Sequence, residues 1–146
     1  MRALLFITCM VGASSASAAT VFVCPSPKGY AFYPSDKSPT WGSDGLRGWE
    51  FEITFDDDQL ADVKIRKDLV SKSLKSEGAE FVPVFSMARD RYPAMVVIYP
   101  NDGILETYAV SQDRGQFKLL WTTTRSGRLS GQTTKVGAYT APCRRR

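Results

Sequence analysis

The chain contains no histidine, and that absence removes much of ordinary active-site chemistry. Ser-His-Asp and Cys-His arrangements cannot be assembled, and zinc or copper sites lose their usual imidazole ligands. Acid–base work would fall to carboxylates, lysine or tyrosine. Cysteine is scarce, with three in 146 residues (Cys9, Cys24 and Cys143). Beyond the first 20 residues or so, no apolar run approaches the roughly 20 residues that a membrane-spanning helix needs. Acidic residues are missing altogether from Arg114 to Arg146. No catalytic, metal-ligating or cofactor-binding motif stands above background, so neither a metal nor a cofactor is expected.

What is present begins with a leader pattern. Arg2 precedes an apolar run from Ala3 to Ala13, and the small residues Ser14 to Ala19 follow. This is the charge, apolar segment and small-residue cleavage site of a secretory signal, expected to be removed as residues 1–19. The apolar run is too short for an anchor. The expected location is therefore periplasmic or secreted. Taking 19 residues from 146 leaves 127, a length suited to one domain.

Two cysteines then remain, Cys24 and Cys143. In an oxidising compartment an even count implies a bridge, and two cysteines permit one connectivity. Such a bridge closes nearly the whole chain into a loop, which the chain-entropy model values at about 4–5 kcal/mol at most.

Charge is divided along the chain. Residues 114–146 hold eight Lys/Arg and no acid, while residues 20–113 hold ten Lys/Arg against fifteen Asp/Glu. Whether that division survives in space depends on which strands become neighbours, because basic strands beside acidic ones neutralise each other.

The local pattern is that of a β protein. Thr20–Cys24 is a short β-branched and aromatic run. Pro25–Gly48 is rich in proline, glycine and aromatics and reads as a long connection, within which Gly29–Tyr33 is a possible strand. In Trp49–Phe55 the residues Trp49, Phe51, Ile53 and Phe55 share one face and Glu50, Glu52 and Thr54 the other, the period of a half-buried strand. Leu60–Arg66 alternates again. Asp68–Glu77 suits a short helix capped by Asp68 and ended by Gly78, or else a polar loop. Ala79–Phe85 reads as a strand in which Pro83 marks a sheet edge or a bulge. Ala94–Tyr99 is apolar on both faces and predicts a buried central strand, followed by a turn at Pro100–Gly103. Ile104–Val110, Gln116–Thr124 and Thr133–Cys143 complete the set, and Arg144–Arg146 reads as a free basic tail.

About eight antiparallel strands with at most one short helix predict an all-β domain over residues 20–143, a small up-and-down barrel or a sandwich. In a barrel, contact between first and last strands would close the sheet and remove both edges. The outline is similar to that of bacterial envelope proteins such as periplasmic lysozyme inhibitors. That likeness is architectural and carries no function.

Three constellations remain. Asp56-Asp57-Asp58 lacks calcium-loop spacing and reads as a solvated turn. Lys118, Arg125, Arg128 and Lys135 are the candidate anion-binding residues. Tyr30, Phe32, Tyr33 and Trp41 form an aromatic loop that either rims a ligand or partner site or plugs one end of the barrel. The expectation is a non-catalytic binding or inhibitory protein whose partner is another protein or an envelope component. The alternative is a structural envelope protein meeting anionic glycan or lipid through its basic C-terminal third. A carboxylate-based hydrolase is the weakest reading, and nucleic acid is not an expected partner because Phe117 and Trp121 fall on the core face, not on an exposed platform. The position of Tyr30–Trp41 discriminates: exposed aromatics favour a partner interface.

Overall fold

A computed structural model describes residues 19–34, 37–55, 62–84, 94–126 and 133–146. Eleven strands run in chain order: β1 (Thr20–Pro25), β2 (Lys28–Phe32), β3 (Trp41–Gly45), β4 (Glu50–Phe55), β5 (Asp62–Lys67), β6 (Val70–Ser73), β7 (Glu80–Val84), β8 (Ala94–Tyr99), β9 (Ile104–Asp113), β10 (Gln116–Arg125) and β11 (Lys135–Arg145). All pairings are antiparallel, in the order β6-β5-β4-β1-β11-β10-β9-β8-β7, and the β2–β3 ribbon adds beside β11. The fold is all-β, with no helix among the described residues.

The sheet forks at β11. Along one side β11 pairs with β10 from Lys135 to Cys143. Along the other, Val136–Thr140 pair with β2 while Arg144 and Arg145 pair with β1. Two wings result, a smaller one of β6, β5, β4 and β1 and a larger one of β3, β2, β11, β10, β9, β8 and β7. Gly29 makes the fork possible, because a Cβ there would run into the Ala138 carbonyl oxygen. β2 can lie against β11 at that point only with glycine.

Curling brings the inner faces of the wings together. Phe51 of β4 meets Tyr108 of β9 and Trp121 of β10, with ring centroids 6.3 and 5.2 Å apart. Phe22 of β1 meets Phe117 of β10 at 5.1 Å. Trp121 stacks in turn on Tyr139 at 4.4 Å. Phe51, Ile53, Val97, Leu119 and Trp121 are buried, and Trp49, Phe55 and Phe117 pack half-buried against them. The alternation read from the sequence therefore assigns this core correctly. Cys24 and Cys143 form the disulfide, with Cα atoms 4.2 Å apart, and clasp β1 to the end of β11.

Four expectations need correction. First, no pairing closes the sheet among the described residues: β1 and β11 meet in its middle, and the strand order runs from β6 to β7. Second, Asp68–Glu77 is not a helix. Asp68, at φ 53°, opens a tight hairpin turn that returns the chain as β6. Leu69 is wholly exposed while Leu74 is buried, so their helical spacing defines no common face. The following turn, capped by Asp62 through the Ser73 hydroxyl, ends at Gly78 as a glycine signal should. Third, β8 lies one strand from the edge, and only its Met95–Val97 face is buried. β7, carrying Pro83, is the edge strand itself, as expected. Fourth, Arg144 and Arg145 end β11 instead of forming a tail. Residues 1–18 of the leader, Asp56–Asp58 and Arg128 lie outside the described residues.

Candidate functional site

Most basic residues of the last two strands lie against carboxylates, while Arg145 donates to the Thr20 hydroxyl at 3.3 Å. Lys118 Nζ lies 3.3 Å from Asp113, across an exposed hairpin. Arg125 approaches Glu106 at 3.6 Å, and Lys135 approaches Asp44 at 2.6 Å. At the end of β11, Arg144 lies 3.9 Å from Glu50 and Arg146 3.2 Å from Glu52. Glu52 also takes Arg66 at 2.9 Å and Lys64 at 3.6 Å, and under these three cations it is buried although its strand face is the polar one. Lys118, Arg125 and Lys135 are thus set apart, each on its own acid. Arg125 and Lys135 are direct neighbours across the β10–β11 ladder, but their charges are drawn to different partners.

Tyr33 separates from the other aromatics of its loop. Its hydroxyl donates to Asp44 at 2.8 Å, beside the hydroxyl of Tyr139 at 2.6 Å and the Lys135 ammonium. The Gly45 N–H donates to the other oxygen at 2.7 Å. Lys135 Nζ in turn sits 5.4 and 5.0 Å from the ring centres of Tyr33 and Tyr139. Burial works to raise the Asp44 carboxyl, but donors from Lys135, Tyr139, Tyr33 and Gly45 outweigh it and hold the group well below the usual carboxylate range. Burial likewise opposes the Lys135 charge, and the Asp44 contact overcomes it and raises the ammonium. Tyr139, through burial and then its bond to Asp44, is pushed up to about 12. Nothing here is poised for proton transfer near neutral pH. The cluster pins the β2–β3 ribbon to β11.

A second buried carboxylate, Glu106, accepts the Tyr108 hydroxyl at 2.6 Å. Burial first, and then the Glu106 charge, raise that phenol well above its ordinary value.

The Lys118–Asp113 pair lies toward the β9–β10 turn on the outer face of the larger wing, and across the middle of that face charge is sparse. Register places three rows across its seven strands. One row runs Trp41, Phe32, Val136, Thr124, Leu105, Ile98 and Glu80; the next runs Ser43, Tyr30, Ala138, Thr122, Thr107, Val96 and Val82; the third runs Gly45, Lys28, Thr140, Leu120, Ala109, Ala94 and Val84. Lys28 and Glu80 are the only charged residues in these rows. Tyr30 is 63 % and Trp41 59 % exposed, and Leu105, Leu120, Val82, Val84 and Val136 are exposed as well. The Phe32 and Trp41 rings lie 5.9 Å apart. Threonines lie between these apolar side chains, so the face is uncharged over most of its width and mixed apolar and hydroxylic in character.

Three of the four sequence-selected aromatics, Tyr30, Phe32 and Trp41, therefore meet on one outward face. Lys28, Ser43 and Thr140 join them there without any sequence signal: Trp41–Gly45 falls within the turn-rich connection Pro25–Gly48, and its ladder with β2 makes it a strand. No family model matches the chain, and no curated protein or solved structure is similar to it.

Proposed function

We propose that this is an exported, non-catalytic binding protein that engages its partner through the outer face of the larger wing, at the end carrying Tyr30, Phe32 and Trp41. The observation behind this reading is the exposure of Tyr30 and Trp41 on a face with two charges in three rows of seven residues. Aromatic side chains on an uncharged surface are the usual anchors of recognition, since they bury large area with few rotatable bonds. The ion pairs described above speak against the basic C-terminal strands as the binding element. The leader pattern and the Cys24–Cys143 bridge support an oxidising compartment outside the cytoplasm.

The test is retention of components of a cell-envelope extract on immobilised protein. Wild type should retain a component that the Tyr30→Ala/Trp41→Ala double variant does not. A Lys64→Ala variant on the opposite wing should behave as wild type. Equal retention by all three would overturn the proposal.

A further inference from the structure

A depression on the outer face has the lining of a sugar site. It occupies about 460 Å³ over β2, β3 and β11, lined by Lys28, Gly29, Tyr30, Ser43, Ala138 and Thr140. The shape follows from the register. Tyr30 stands between Ser43 on one side and Ala138 on the other, both small, while Lys28 is flanked by Gly45 and Thr140. A tall ring and a lysine therefore rise from a low floor.

We propose that this depression is a saccharide subsite, and that the sugar it takes carries a carboxylate. The inference rests on the outer-face reading above and names its ligand. A pyranose presents an apolar C–H face and a rim of hydroxyls. Tyr30 offers the exposed ring for the first, and Ser43 and Thr140 offer hydroxyls that both donate and accept for the second. Lys28 forms no ion pair with any described residue and is the lysine that lines the depression, whereas Lys118, one row further along the same face, is held by Asp113; a cation without a counter-ion matches a carboxylate on the sugar. Along β2, residues two apart are separated by about 7 Å. Lys28, Tyr30 and Phe32 thus space a charge, a stacking ring and a further ring, with Trp41 beside Phe32, at intervals that a chain of two or three sugar units can span. A peptide is the poorer fit. Peptides bind sheets through main-chain hydrogen bonds at an open edge, whereas the groups this depression offers are side chains on the face of β2, β3 and β11, inward of the β3 edge.

The experiment is calorimetric titration with a galacturonic acid trimer and with the neutral galactose trimer of the same linkage. Wild type should bind the acidic trimer at least tenfold more tightly at low salt, the gap narrowing as salt rises. Lys28→Gln should erase the preference, bringing the two trimers to equal affinity. Tyr30→Ala should weaken both trimers at least tenfold. Both residues point outward, so circular dichroism should report an unaltered fold. Binding of neither trimer by wild type, or a preference that survives Lys28→Gln, overturns the saccharide assignment. If the Tyr30→Ala/Trp41→Ala variant still loses its envelope component in that event, the outer-face reading stands and only its ligand class falls.

Discussion

Lys135 and Asp44, 91 positions apart in sequence, meet at 2.6 Å beneath the β2–β3 ribbon. Asp44 takes two tyrosine hydroxyls and a backbone N–H besides, so one carboxylate ties β3, the segment after β2 and the start of β11 together. The ribbon that presents Tyr30, Phe32 and Trp41 outward is held in place from within.

Asp44→Asn should therefore destabilise the fold by about 2–3 kcal/mol, because it leaves Lys135 largely buried without its counter-ion. Urea denaturation followed by Trp fluorescence measures this. A loss below about 0.5 kcal/mol would mean that the ribbon is held by its ladder alone.

The same contact gives a pH dependence of known sign. The Asp44 carboxyl is lower in the folded chain than in the unfolded one, so its contribution is full above the ordinary carboxylate range and is lost as pH falls below about 4. Lys135 is raised, so its share is full at neutral pH and is lost only as pH climbs past its ordinary value of 10.5. Denaturation midpoints should be level from about pH 5 to 9 and fall below pH 4, and the acid limb should flatten in Asp44→Asn. An unchanged acid limb in that variant would assign the effect to other carboxylates.

Phe51→Ala should cost about 3–5 kcal/mol, since it opens a void between the wings where Tyr108 and Trp121 pack. A change below about 1 kcal/mol would place that face outside the core.

The Cys24–Cys143 bridge should leave no reactive thiol in denatured, non-reduced protein beginning at Thr20. Reduction should lower stability by up to about 4–5 kcal/mol. Two labelled cysteines per chain would contradict the pairing.

Much of this was legible in the sequence, for physical reasons that can be traced to particular residues. Strict alternation assigned Phe51, Ile53, Leu119 and Trp121 to the core, because a side chain in a strand has only two directions to take. Pro83 marked an edge because it has no N–H to give a ladder. β3 was not legible: Trp-Gly-Ser-Asp-Gly has no alternation, and pairing with β2 alone makes it a strand. The charge pattern was legible only along the chain. Which acid meets which base depends on β1 and β11 being neighbours in mid-sheet, so that Arg144 and Arg146 reach Glu50 and Glu52. The split between Tyr33, turned toward Asp44, and Tyr30, turned outward, follows from strand parity once β2 is placed.

The binding face itself is open to direct measurement. Covalent surface footprinting of the folded protein, alone and mixed with envelope extract, reports which side chains a partner covers. The account predicts protection of Tyr30, Phe32 and Trp41 on the larger wing, with Lys64 and Arg66 on the smaller wing labelled as before. Protection of Lys64 and Arg66, with Tyr30 and Trp41 labelled equally in both states, would contradict it.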